Sequence, residues 1–275
     1  MFEINKMYVE DCFDTMKRMV ESNQKVNIIL TSPPYCTDKD DAKMYTDAKF
    51  DWYDVHYDVF EGFDSPEQYR EWTVNLFNAY DTVLCENGVV LYNISYTKAT
   101  PDLVYKCVYD VITQTNFMVA DCIIWRKSNA LPQNQNSNRS TRICEFVFVF
   151  CRKSEADTFI TNKKRSEVDY KRYTNLFYNY IEAPNNDILD KSLNRLNGAT
   201  FSTKLVLALL NIYAKPGFIV YDSFMGTGTT AVACKQYGCN FIGSEISQAQ
   251  VEFANKRLLG IRVLRGERIR KFFYC

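Results

Sequence analysis

Residues 218–230 read Phe218-Ile219-Val220-Tyr221-Asp222-Ser223-Phe224-Met225-Gly226-Thr227-Gly228-Thr229-Thr230. An apolar run of strand character meets an acid, then a Gly-x-Gly turn, then a helical stretch that begins near Thr229. Glycine tolerates a positive φ and lets a ligand approach the backbone. The free N–H groups of a helix N-terminus favour a carboxylate or a phosphate. A second apolar run, Phe241-Ile242-Gly243-Ser244-Glu245, ends in another acid. It follows at about 20 residues, the spacing at which an acid accepts from ribose hydroxyls in a doubly wound nucleotide site. A lone Gly-x-Gly is a weak signal. Strand, turn, helix, strand and acid in this order predict part of an open α/β sheet.

Working outward, the same alternation runs through the rest of the chain. Strand character falls on residues 6–9, 26–30, 89–94, 117–125 and 143–151, besides 219–221 and 240–243. Helical spacing falls on 13–20, 66–84, 101–113, 203–213, 229–237 and 248–259, with Ser65 an N-cap and Pro66 in the first turn. Such alternation predicts a mostly parallel sheet covered by helices. Residues 37–62 are polar, acidic and aromatic and read as a mobile loop over a target; 128–141 have a loop composition. Residues 153–191 are basic and carry Tyr170, Tyr173, Phe177, Tyr178 and Tyr180. That mixture suits contact with nucleic acid, or a satellite cluster of packed aromatics.

The run Val26-Asn27-Ile28-Ile29-Leu30 is followed by Thr31-Ser32-Pro33-Pro34-Tyr35. Both prolines fix φ and neither donates an N–H, so the carbonyls of Ser32 and Pro33 are confined in direction. A hydroxyl beside such a carbonyl is able to accept both N–H bonds of an exocyclic amine, and Tyr35 offers a face for a flat ring. A strand-ending turn is the alternative.

A chain of 275 residues, 47% hydrophobic, suits one α/β domain with an insertion or two small domains. No apolar run is long enough to span a bilayer, and the charged N-terminus lacks a signal-like block. The ten cysteines form no Cys-x-x-Cys pair and His56 is the single histidine, so no zinc site is expected. The cysteines read as reduced thiols of an intracellular protein. Net charge is zero, yet charge is uneven. Residues 38–86 are acid-rich, whereas Arg126, Lys127, Arg139, Arg142, Arg152, Lys153, Lys163, Lys164, Arg165, Lys171 and Arg172 crowd the middle, and a further basic run spans 256–271. Each run is either a solvated face or an electrostatic footprint for nucleic acid.

Together the two motifs resemble the DNA amino-methyltransferases. Thr31-Ser32-Pro33-Pro34-Tyr35 is most similar to their N4-cytosine branch, and Asp222-x-Phe224-x-Gly226-x-Gly228-Thr229-Thr230 to their S-adenosylmethionine loop. The catalytic motif precedes the cofactor loop, as in the beta group, whose target-recognition region lies between the two. The resemblance covers most of the chain, including Tyr8-Val9-Glu10-Asp11-Cys12, residues 88–94, Trp125-Arg126-Lys127 and residues 199–205.

It implies a doubly wound, Rossmann-like class I methyltransferase fold with an inserted target-recognition region. The expected division is 1–126 for the catalytic half, 127–192 for a hairpin strand plus the insert, and 193–275 for the cofactor half. Ser32, Pro33, Pro34 and Tyr35 are then catalytic. Asp11, Cys12, Thr31, Phe201, Ser202, Thr203, Asp222, Phe224, Gly226, Gly228, Thr229 and Glu245 are then around S-adenosylmethionine, and the middle basic residues other than Arg152 and Lys153 face DNA. Asp11 as a helix cap and Phe224 as core are the plainer readings.

The implied activity is methyl transfer to cytosine N4 within a DNA sequence. Adenine N6 is the runner-up, and a catalytically silent DNA-binding module the alternative of another class. Double-stranded DNA is the implied partner, with a homodimer and a cognate restriction endonuclease as further family partners. Cys36 follows Tyr35 rather than a proline, unlike a C5-methyltransferase nucleophile, and reads as a packed thiol. Ser223 and Ser202 stand where the family commonly has proline, which predicts two loosened loops.

Overall fold

The computed structural model describes residues 2–36, 62–96, 100–130, 138, 140–162, 178–187 and 200–259. Among these residues, eight strands form one sheet: β1 (Lys6–Val9), β2 (Val26–Thr31), β3 (Leu84–Ile94), β4 (Phe117–Lys127), β5 (Cys144–Arg152), β6 (Tyr180–Ala183), β7 (Ile219–Asp222) and β8 (Asn240–Glu245). Their order is β1-β8-β7-β2-β3-β5-β4-β6. Every neighbouring pair is parallel except β3 with β5 and β5 with β4. One strand, β5, therefore runs against the other seven.

Side chains alternate between the two faces, as the pleat requires. Ile28, Leu30, Val89, Leu91, Val147, Val149, Val220 and Phe241 point into one core, where α4 (Thr203–Tyr213), α5 (Thr229–Tyr237) and α6 (Gln248–Leu258) pack. Ile29, Val90, Tyr92, Phe148, Phe150, Tyr221 and Ile242 point into the other. There they meet α1 (Cys12–Glu21), α2 (Pro66–Val83) and α3 (Leu103–Gln114). The second core is strongly aromatic: Phe77 alone stands edge-on to Tyr80, Tyr92, Phe117 and Phe150 at 4.7–5.6 Å between centroids.

Short polar residues set the helix starts. Asp11 accepts from the Phe13 N–H at 2.8 Å, Ser65 from Gln68 at 3.1 Å, and Ser202 and Ser247 from Leu205 and Gln250 at 3.4 Å. Helices α3 and α5 lack a side-chain cap, and the N-cap of α5 is Gly228 in the left-handed region.

The predicted strands and helices appear with ends moved by one or two residues, except that β3 starts five residues early, at Leu84. One strand was not predicted. β6 is four residues, half exposed, within a basic and aromatic stretch, and it docks on the outer edge of β4. β5, from the predicted middle segment, lies inside the sheet between β3 and β4.

Candidate active site

Strands β2 and β7 are parallel neighbours, with Ile29 opposite Tyr221. The chain leaves β2 through α2 to β3 on one side and leaves β7 through α5 to β8 on the other. This is the topological switch point, where open α/β sheets leave a crevice at the carboxyl ends of the strands. Both singled-out motifs open onto it. Thr31 Oγ1 donates to Asp222 Oδ1 at 2.7 Å across 191 residues of sequence.

Asp222 is 1% exposed and takes two more donors, Thr230 Oγ1 at 2.5 Å on Oδ2 and the Phe224 N–H at 3.1 Å on Oδ1. Burial pushes its carboxyl up to about 6, and the three hydrogen bonds only partly offset that. The sign of the linkage follows. The folded chain holds this proton up to about pH 6, while the unfolded chain releases it near 3.8. The associated stability is complete below the unfolded value and is lost as pH rises through about 6. Asp222→Asn lacks this loss. Its stability relative to the parent is expected to rise by on the order of 3 kcal/mol between acid and neutral pH, read by denaturant unfolding at both.

Ser223 does not loosen the loop as its departure from proline predicted. Its hydroxyl donates to Thr31 Oγ1 at 3.2 Å and lies 2.5 Å from the Tyr80 hydroxyl, tying the glycine turn to β2 and α2. Ser202 likewise serves as the N-cap of α4. Gly226 and Gly228 both have positive φ, 54° and 81°. The N–H of Gly226 reaches Glu245 Oε2 at 2.8 Å and that of Ser247 reaches Oε1 at 2.9 Å. The acid of β8 is thereby fixed beside the turn. Asp11 lies two residues past Val9, the strand partner of Glu245, and caps α1. The Cys12 side chain is in the aromatic core, where burial raises its thiol, and its carbonyl accepts from Tyr221 at 3.2 Å.

Phe224 is half-buried with its ring 5.6 Å from Trp72. Phe201 is buried, and Thr203 binds Asp187 through its N–H at 2.9 Å and its hydroxyl at 2.5 Å. Arg257 joins this group to the turn: it donates to Asp187 at 2.9 Å, to the Thr227 carbonyl at 2.7 Å and to Thr229 Oγ1 at 3.3 Å. Thr227 Oγ1 is buried in the glycine turn without a hydrogen-bond partner.

In the other motif, Pro33 is buried and Ser32, Pro34 and Tyr35 are half-buried. The Tyr35 hydroxyl donates to Glu145 Oε2 at 3.3 Å, and burial with the Glu145 charge raises it well above an ordinary phenol. Glu145 also pairs with Lys127 at 2.5 Å.

Of the basic residues, Arg126 pairs with Glu182 at 2.7 Å on the surface, and Arg142 lies 5.0 Å over the Tyr96 ring. Arg139, Lys163, Lys164, Arg165, Lys171 and Arg172 lie outside the described residues, as do the loop 37–61 and the end of the last basic run. Sequence reasoning missed Glu145, Tyr80, Trp72, Asp187 and Arg257. Only Glu145 carried a signal, as the one acid in the otherwise apolar run of β5.

Among the described residues, no group of three His, Cys, Asp or Glu side chains is placed to hold a metal, and no helix is long and apolar enough to cross a membrane.

Comparison with known proteins agrees with this geometry. The sequence model of the DNA methylase family, N6/N4 type, matches residues 26–256. The type II methyltransferase M.HinfI of Haemophilus influenzae is 23% identical over 265 residues, covering 94% of this chain and 69% of that one. M1.MboII of Moraxella bovis is 22% identical over 280 residues, covering 93% and 96%. Among solved structures, the M1.HpyAVI–SAM complex superposes with TM-score 0.63 at 24% identity, covering 92% and 98%. The cytosine-N4-specific PvuII DNA methyltransferase superposes with TM-score 0.65 at 18% identity, covering 98% and 90%. With the Ser-Pro-Pro-Tyr strand ahead of the glycine turn and both on one crevice, the chain belongs to the DNA methylase family, as a beta-group amino-methyltransferase that uses S-adenosylmethionine.

Proposed function

We propose that this enzyme methylates the N4 amine of a cytosine rotated out of a specific duplex DNA site. The observation that carries the reading is the 2.7 Å bond from Thr31 to Asp222, which sets Ser32 beside the glycine turn. Within this family, serine at the position of Ser32 is commoner for cytosine and aspartate for adenine, so adenine N6 is the second reading.

The residues around the turn fit the cofactor's chemistry. Asp222 begins the loop that holds the methionine part, and Glu245 is the carboxylate for the ribose hydroxyls. The uncapped N-terminus of α5 suits a carboxylate, and Thr227 Oγ1 is a buried group still lacking a partner. Thr31, Phe201, Ser202, Thr203, Phe224, Gly226, Gly228 and Thr229 complete this lining, and Asp11 with Cys12 lies at the adenine end. When bound, S-adenosylmethionine supplies a methyl on a sulfonium, so no protein nucleophile is required.

The chain's own task is to make an aromatic amine nucleophilic and to hold it in line. The lone pair of such an amine is delocalised into the ring. Ser32 Oγ and the Pro33 carbonyl, accepting one N–H each, pyramidalise the nitrogen and localise the pair. Alignment and preorganised acceptors then supply most of the rate. The proton leaves after attack, when the nitrogen is strongly acidic, so no dedicated base is needed. Rotating the base out costs a few kcal/mol, part of which Tyr35 recovers by stacking.

The test is direct. Unmethylated genomic DNA is incubated with the enzyme and labelled S-adenosylmethionine, then digested to nucleosides. Label in N4-methylcytosine is the expected result. Label in N6-methyladenine overturns the choice of base, and no label despite bound cofactor overturns the assignment of the site to DNA.

A further inference from the structure

The motif Ser32–Tyr35 does not end at Tyr35. Its hydroxyl donates to Glu145 Oε2 at 3.3 Å, and Glu145 Oε1 takes the Lys127 ammonium at 2.5 Å. Glu145 is 8% exposed and stands on β5, opposite Trp125 of β4, with Lys127 two residues further along β4. The ammonium also lies 5.1 Å over the Trp125 ring. Desolvating a carboxylate and an ammonium costs about as much as their attraction returns, so stability alone is a poor reason for this pair. Direction is a better one. A carboxylate only accepts, so the Tyr35 O–H must point at it. That fixes the hydroxyl end of the Tyr35 ring, three residues along the chain from Ser32.

We propose that Lys127 and Glu145 are positioning residues for methyl transfer: the pair fixes the Tyr35 hydroxyl and, through it, the ring on which the target base stacks. This rests on the stacking role given to Tyr35 above. It also removes Lys127 from the residues that face phosphate, since its charge is spent inside the fold.

Two measurements test it. In single-turnover assays, Tyr35→Phe and Glu145→Gln are each expected to slow methyl transfer by about tenfold to a hundredfold, the range for a small misplacement of a reacting group. DNA KM and cofactor Kd stay within about twofold of the parent, and the double variant is no slower than the slower single one. Fully additive losses, or equal losses in cofactor affinity, overturn the proposal. Tyr35→Phe removes one hydroxyl, so it carries the test where Glu145→Gln fails to fold. The second measurement needs no methyl transfer. The slope of log K against log salt for duplex binding is expected to be the same in Lys127→Met as in the parent. A slope reduced by about 0.9, one phosphate contact, assigns Lys127 to DNA and overturns the proposal. Parent activity on either base reports on the enzyme reading; the ratios and the slope report on the pair.

Discussion

Replacing Ser32 by alanine is expected to slow the chemical step by about 10²- to 10³-fold, the usual cost of deleting one preorganised group at a site of developing charge. Cofactor affinity is expected to change by less than about twofold, because uniform binding is not what the hydroxyl supplies. The structure explains why the two quantities separate. Ser32 is half-buried at the exit of β2. The bonds that tie β2 to the glycine turn come instead from its neighbour, Thr31, to Asp222 and from Ser223 to Thr31. On the proposed acceptor role, alanine at position 32 therefore removes one acceptor from the amine and leaves the turn in place. Single-turnover transfer to DNA and calorimetric titration of cofactor read the two effects. A parallel fall in both, or a kcat that survives, contradicts the acceptor role.

What the sequence made legible, and what it did not, divides along the same line between local and distant contacts. The stretch from Ile219 to Glu245 is strand, turn, helix and strand in one run. Period, glycines and the final acid lie within one window, and the structure follows it closely. Helix α4 starts at Thr203 behind Ser202 for a similarly local reason. The bond between Thr31 and Asp222 spans 191 residues; only the shared likeness of two motifs suggested they were neighbours. Ser223 was misread because a missing proline is a local signal of looseness, whereas its hydroxyl is held by Tyr80 from α2, 143 residues away. Arg126 was read for its charge, but its partner Glu182 arrives on a strand too short and too exposed to announce itself. Arg257 was one cation in a basic run. Its place against the Thr227 carbonyl and Asp187 depends on how α6 packs over the turn.

That packing underlies the second large effect. Gly228→Ala is expected to destabilise the protein by roughly 2–5 kcal/mol, combining left-handed strain with overpacking. It is also expected to weaken cofactor binding more than about tenfold, an affinity change worth at least 1.4 kcal/mol. Gly228 has φ of 81°, and a Cβ there would stand 2.6 Å from Ala254 Cβ and 3.3 Å from its Cα. Ala254 is a fully buried residue of α6, and neither atom belongs to a side chain that is able to swing away. Relief requires α6 to move off the turn, carrying Arg257 away from the Thr227 carbonyl that it holds at 2.7 Å. Gly217→Ala is the control. Its φ is 86° and a Cβ there meets nothing within 4 Å, so it bears only the left-handed strain, about 1–2 kcal/mol. It also lies before β7, away from the crevice. Thermal unfolding and cofactor titration of the two variants separate backbone strain from the collision with α6. If Gly228→Ala loses no more stability than Gly217→Ala and binds cofactor as the parent does, then the close seat of α6 on the turn does not shape the cofactor site.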